Sequence, residues 1–182
     1  MHSSLLSLGP GLAQRLPEVH DPGGGLRQET FLSGEVSCQL TLVTWNCATL
    51  LGALPRTSDQ RQRHVHKIDF VTRLALGNDV VFLQEVHGGA GDLAELSHRL
   101  PSHMVLGSFC TSHAAGGIAV LISPRLLGIY SGEISQEVIE PGRAMCITLK
   151  GGGLHPISFC CVHVVPEWPL ALKKSFVSRL AR

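Results

Sequence analysis

Apolar positions along the chain change their period several times, and each change marks an element. Residues 39–45, Gln39-Leu40-Thr41-Leu42-Val43-Thr44-Trp45, alternate at first and are rich in β-branched side chains, which predicts a strand. From Ser58 to about Leu76, the residues Val65, Ile68, Val71, Leu74 and Ala75 recur at helical spacing, with Arg61, Arg63, Lys67 and Arg73 mostly opposite them. That pattern predicts a helix capped by Ser58 and closed by Gly77-Asn78. Asp79-Val80-Val81-Phe82-Leu83-Gln84-Glu85 follows, an apolar run without alternation, as expected of a strand buried on both faces. Strand, helix and strand in this order predict a βαβ-like unit with parallel strands.

The remaining segments are shorter. A helix is predicted over residues 92–100, stopped by Pro101, then a strand over 104–109 and a firm one over 116–122, ended by Ser123-Pro124. Residues 128–139 alternate weakly and predict an edge strand. Pro141-Gly142 turns the chain into a strand over 143–149, Gly151-Gly152-Gly153 turns it again, and a last strand covers 157–165 before a helix that starts at Pro169. Strands joined by glycine turns imply a largely antiparallel sheet with the βαβ-like unit embedded in it, an α+β class with a mixed sheet. Residues 1–37 mix Gly, Pro, Ser and isolated leucines around Asp21-Pro22-Gly23-Gly24-Gly25. They are read as a mobile leader or linker, and residues 38–182 as the domain.

Composition narrows the classes without choosing among them. At 182 residues, 44% hydrophobic and 16% charged, the chain can bury one core. A formal charge of +1 gives no field that argues for a nucleic-acid or membrane partner. Among the 6 cysteines there is no C-x-x-C spacing, and Cys146, Cys160 and Cys161 fall in apolar runs. Reduced cysteines and an intracellular setting are therefore expected. No apolar run is long enough to span a bilayer, and residues 1–9 lack the pattern of a secretory signal.

Several catalytic constellations are absent: a phosphate-binding G-x-x-x-x-G-K-S/T loop, a G-x-S-x-G elbow and an H-E-x-x-H helix. His64 and His66 stand two apart on a helix, point to different faces and read as surface residues. Polar residues at the ends of apolar strands remain, namely Asn46, Glu85 and His163. An amide oxygen and a carboxylate are hard ligands that suit Mg²⁺ or Mn²⁺ better than Zn²⁺. A histidine beside a metal-bound phosphate can donate a hydrogen bond to it. Taken singly, each has a plainer account: Glu85 in the solvated loop where its strand stops, and His163 as a satisfied core histidine. Together they point to one site.

Thr44-Trp45-Asn46-Cys47, the Leu83-Gln84-Glu85 strand end, Gly116-Gly117-Ile118-Ala119-Val120, Gly142-Arg143 and Val162-His163-Val164-Val165-Pro166 come in a telling order. Over residues 39–168 the chain resembles the endonuclease/exonuclease/phosphatase superfamily, in particular its deoxyribonuclease I-like and retroelement-type endonucleases. The resemblance implies the N-terminal half of a four-layer α/β sandwich and a Mg²⁺- or Mn²⁺-dependent phosphodiesterase, with nucleic acid or another phosphoester as substrate. It implies that Glu85 binds the metal and takes part in catalysis, that Asn46 helps hold the metal, and that Gln84 supports the turn. His163 would contact the scissile phosphate, His87 would face substrate, and Arg143 would either face substrate or brace the sheet. Val164 stands where abasic-site relatives have a tyrosine.

The family also activates water with an aspartate–histidine pair and uses an Asp-x-Asn motif, both from the second half of its fold. No aspartate follows Asp92 in this chain. The expectation is a domain truncated at its C-terminus, with a complementary half or partner chain needed for activity. A non-catalytic module that keeps the half-fold is the alternative. A second sheet is expected to be incomplete and to leave an apolar face uncovered.

Overall fold

The strand–helix–strand unit expected at residues 39–85 is the centre of the structure. The computed structural model describes residues 2–8, 38–52, 57–112 and 116–180. Its elements are β1 (His2–Leu8), β2 (Cys38–Asn46), α1 (Ser58–Gly77), β3 (Val80–Gln84), α2 (Ala90–Arg99) and β4 (Met104–Ser108). They continue with β5 (Ile118–Ile122), α3 (Pro124–Ile129), β6 (Ile134–Glu140), β7 (Ala144–Gly151), β8 (Leu154–Val162) and α4 (Leu170–Leu180). One sheet has the order β1-β2-β3-β5-β4 and the other the order β6-β7-β8. β2 and β3 are parallel, Leu42 opposite Val80 and Asn46 opposite Gln84; the other pairs are antiparallel.

Alternation along the strands sends side chains to two cores. Val81 and Leu83 of β3, with Val43, Ala119 and Leu121, pack against Ile68, Val71 and Ala75 of α1 and Leu96 of α2. Val80 of β3 and Ile118, Val120 and Ile122 of β5 point the other way, onto Met145, Ile147, Leu149, Phe159 and Cys161 of the second sheet. The result is an α+β sandwich: helices against one face of the larger sheet, the smaller sheet against its other face. Burying an apolar side chain of this size contributes roughly 1.5–3 kcal/mol. A strand that buries Val80, Val81 and Leu83 completely can therefore carry a costly residue at its end.

Several expectations are corrected. The smaller sheet covers the face expected to lie bare, with Phe159 and Cys161 of β8 turned into the interface while Ser158 and Cys160 are exposed. Part of the edge strand expected over 128–139 is helix α3, because Ser123 accepts a hydrogen bond from the Leu126 N–H and Pro124 takes the first turn. The strand begins only at Ile134. Thr57, not Ser58, caps α1, in a reciprocal pair with Gln60. His2–Leu8, assigned to the leader, pairs with β2 as an edge strand; the rest of the expected leader, residues 9–37, lies outside the described residues.

Cysteine pairing is corrected too. The hairpin of β7 and β8 sets Cys146 opposite Cys160, and the two form a disulfide. Both sulfurs fall on the outer, polar face of the sheet beside Thr148 and Ser158, which hydrogen-bond each other at 2.8 Å. Runs of apolar residues hid this pair because sequence spacing does not give cross-strand register. Among the described residues no helix is long and apolar enough to cross a membrane.

Candidate active site

Parallel strands end on the same side of a sheet, and loops at their carboxyl ends are where open α/β sheets bind ligands. Here β2 ends at Asn46 and β3 at Gln84, directly opposite one another. The residues that follow are strained. Ala48, Thr49, Glu85 and His87 have φ of 43°, 71°, 53° and 56°, the left-handed region that non-glycine residues avoid at a cost on the order of 1 kcal/mol or more each. They are the only non-glycine residues with positive φ among the described residues. Backbone bonds hold these loops together: Cys47 N–H donates to Gln84 O at 2.8 Å and Thr49 N–H to Glu85 O at 2.9 Å.

The turn after β3 swings Glu85 over the sheet toward two partners. Asn46 Nδ2 donates to Glu85 Oε1 at 3.1 Å, and His163 Nε2 lies 3.1 Å from the same oxygen. Asn46 is oriented by its own loop, its Oδ1 accepting from the Ala48 N–H at 3.0 Å. His163 stands just past β8, 8% exposed, with Arg143 Nη1 2.7 Å from its Nδ1 and its N–H donating to Arg143 O at 2.7 Å. Gln84 ties the two sheets together beneath this group by donating to Val162 O at 2.9 Å. Asn46, Gln84, Glu85, Arg143 and His163, all named from sequence, thus meet in one place.

His87 is held differently, with Nδ1 3.1 Å from Thr49 Oγ1. It braces the two strained loops against each other, at the rim of the group rather than on Glu85. Burial and the neighbouring Arg143 charge pull the His163 pKa below its usual value, against the opposing pull of Glu85. The ring is neutral near pH 7. Burial pushes the Cys47 and Cys161 thiols up to about 12, which removes both as nucleophiles at this site.

Lys67 is a site residue that the sequence reading placed on the polar side of its helix and left there. Its Nζ donates to the carbonyls of Cys47 at 2.9 Å and Thr49 at 3.1 Å, and to that of Ala48. Carbonyls turned to one side by a left-handed turn need such a cation, and only the fold shows that α1 delivers it. Trp168 was missed as well; the Arg143 guanidinium lies 5.8 Å from its ring centroid.

For a divalent cation the arrangement offers the Glu85 carboxylate, whose side chain is 32% exposed; Asn46 Oδ1 is engaged by its own loop. Among the described residues no group of three or more His, Cys, Asp or Glu could hold a metal ion by itself. One accessible carboxylate does fit Mg²⁺, which keeps several waters and takes one or two carboxylates plus substrate phosphate. No family model matches this chain, and no curated protein is similar enough to it to count as a relative.

Proposed function

We propose that this site is the metal- and phosphate-binding part of a Mg²⁺-dependent phosphodiesterase, with nucleic acid as the substrate class. What supports the reading above all is that Asn46 and His163 meet on one Glu85 oxygen and Arg143 meets the far side of the His163 ring, four residues from four separate stretches of chain. Strain gathered in the two loops that carry them supports it further. Glu85 would hold Mg²⁺ or Mn²⁺, and Asn46 would keep the carboxylate in place. When bound, the ion supplies Lewis-acid polarisation of a phosphoryl oxygen. His163 presents a hydrogen bond at the same spot, and Gln84 keeps the two sheets in register below it. An intracellular location, where nucleic acid is at hand, belongs to this proposal; the Cys146–Cys160 bond is then open to cellular thiols, since Cys160 is exposed.

One observation favours a second reading, a binding module without turnover. Hydrolysis needs a base for water, and at this site Glu85 Oε1 is already engaged by Asn46 and His163, and His163 Nδ1 by Arg143. A complementary chain could supply it. Two assays on the full chain separate the readings: Mg²⁺-dependent binding of a short labelled oligonucleotide, and nicking of supercoiled plasmid. Binding with nicking, both abolished in Glu85→Gln, is the result expected of the enzyme. Binding without nicking selects the module, and no Mg²⁺-dependent binding removes both.

A further inference from the structure

We propose that Arg143 is a positioning residue: its guanidinium holds His163 in the tautomer with the proton on Nε2, so that the ring faces Glu85 as a hydrogen-bond donor. An arginine side chain stays protonated and only donates. With Nη1 2.7 Å from His163 Nδ1, that ring nitrogen must accept. The ring proton is then on Nε2, which sits 3.1 Å from Glu85 Oε1, where a carboxylate accepts it. The opposite tautomer would set two donors against each other at Nδ1 and two acceptors against each other at Nε2. Both bonds would fail at once, and the ring, 8% exposed, has little water to turn to.

The guanidinium is itself fixed. It lies over Trp168, Cζ 5.8 Å from the ring centroid, a contact that favours a flat cation. On another side it rests on the backbone of Gly116, where a Cβ would stand 2.9 Å from Cζ and 3.0 Å from Nη2. Glycine is needed at 116 both for this approach and for its φ of +70°. The carbonyl of Arg143 meanwhile accepts from the His163 N–H at 2.7 Å, so one residue grips the histidine by ring and by backbone.

The consequence for chemistry rests on the proposed function: with Nδ1 taken by Arg143, the ring has no free lone pair and is not a base, a phosphate reaches its one N–H only by replacing or sharing the Glu85 bond, and Arg143 acts through the ring without touching substrate. Imidazole ¹⁵N–¹H correlation spectra of the labelled full chain, without metal or phosphoester, test the tautomer itself. The His163 signals are those lost in His163→Gln. The expected wild-type pattern is a protonated Nε2 and an unprotonated Nδ1, well separated in ¹⁵N shift. Glu85→Gln, whose amide can accept or donate at Nε2, leaves Arg143 as the group that sets the tautomer and should keep the separation. In that background Arg143→Met should bring the two shifts together as the tautomers exchange, and Arg143→Lys, whose ammonium also only donates, should restore the separation. A residue that merely braces the sheet would leave the ring pattern unchanged in Arg143→Met. Gly116→Ala in the same background, which displaces the guanidinium without removing it, should also average the shifts and serves if Arg143→Met loses its dispersed amide spectrum. A wild-type ring protonated on Nδ1, or a wild-type pattern retained in the folded Arg143→Met or Gly116→Ala variant, overturns the proposal. Failure of phosphoester binding with the Nε2 pattern intact would instead remove the phosphodiesterase reading alone.

Discussion

Among single residues, the chain buries two titratable side chains with opposite outcomes. Asp79, at the start of β3, is 4% exposed and accepts from Arg125 Nε at 2.8 Å and from the Thr41 N–H at 2.8 Å. Burial pushes its carboxyl up, but the bonds from Arg125 and Thr41 outweigh that and bring it to about 2. A carboxyl lowered by folding stabilises above its unfolded pKa of 3.8 and stops doing so as pH falls toward about 2. Asp79→Asn should therefore lose on the order of 1–2 kcal/mol near neutral pH, discounted because Arg125 is half exposed, and should flatten the acid limb of urea denaturation in that window. His163 runs the other way. Its pKa is lowered by burial first and by Arg143 second, so between that lowered value and 6.5 the unfolded chain binds more protons than the folded one. Its share of stability is complete above 6.5 and falls as pH drops below it. Removing the titrating ring in His163→Gln should reduce the pH dependence of the unfolding midpoint just below 6.5.

Among the elements, period and the parallel strand–helix–strand unit could be read from sequence, and cross-strand register could not. The two-sided burial of β3 was legible because Val80, Val81, Phe82 and Leu83 leave no polar position to face water. The helical period of α1 was equally plain; its end falls where expected, with extended Asn78 as the cap. Asn46, Glu85 and His163 stood out as polar residues closing apolar strands. Lys67 did not, because a lysine on a helix exterior looks the same whether it meets water or three carbonyls. Helix α3 was missed because Ser123-Pro124 suits a strand end and a capped first turn alike. The Cys146–Cys160 bond was missed because it depends on the register of β7 and β8. It closes a loop with a sequence separation of 14, for which chain entropy gives about 3 kcal/mol. A Cys146→Ser/Cys160→Ser double variant should lower the stability measured in guanidinium by up to about that much. A thiol reductant should shift the wild type and leave the variant unmoved.

At the scale of the whole molecule, the site depends on two sheets being held face to face. Asn46, Gln84 and Glu85 come from the larger sheet, Arg143 and His163 from the smaller, and the bond from Gln84 to Val162 O crosses between them. Met145, Ile147 and Leu149 of β7 are fully buried in the interface that keeps them so. Ile147→Ala should cost about 2–5 kcal/mol in urea denaturation by leaving a cavity there. Divalent-metal binding should fall with the packing, although Ile147 is not a site residue. The proposed function puts a divalent cation on Glu85, held between Asn46 and His163. It is tested most directly by adding substoichiometric Mn²⁺ to the ¹⁵N-labelled chain and recording which amide signals its paramagnetism broadens. Signals of residues 46–49, 84–88 and 163 should broaden first and should keep their intensity in Glu85→Gln. Broadening centred elsewhere, or unchanged in Glu85→Gln, would contradict it.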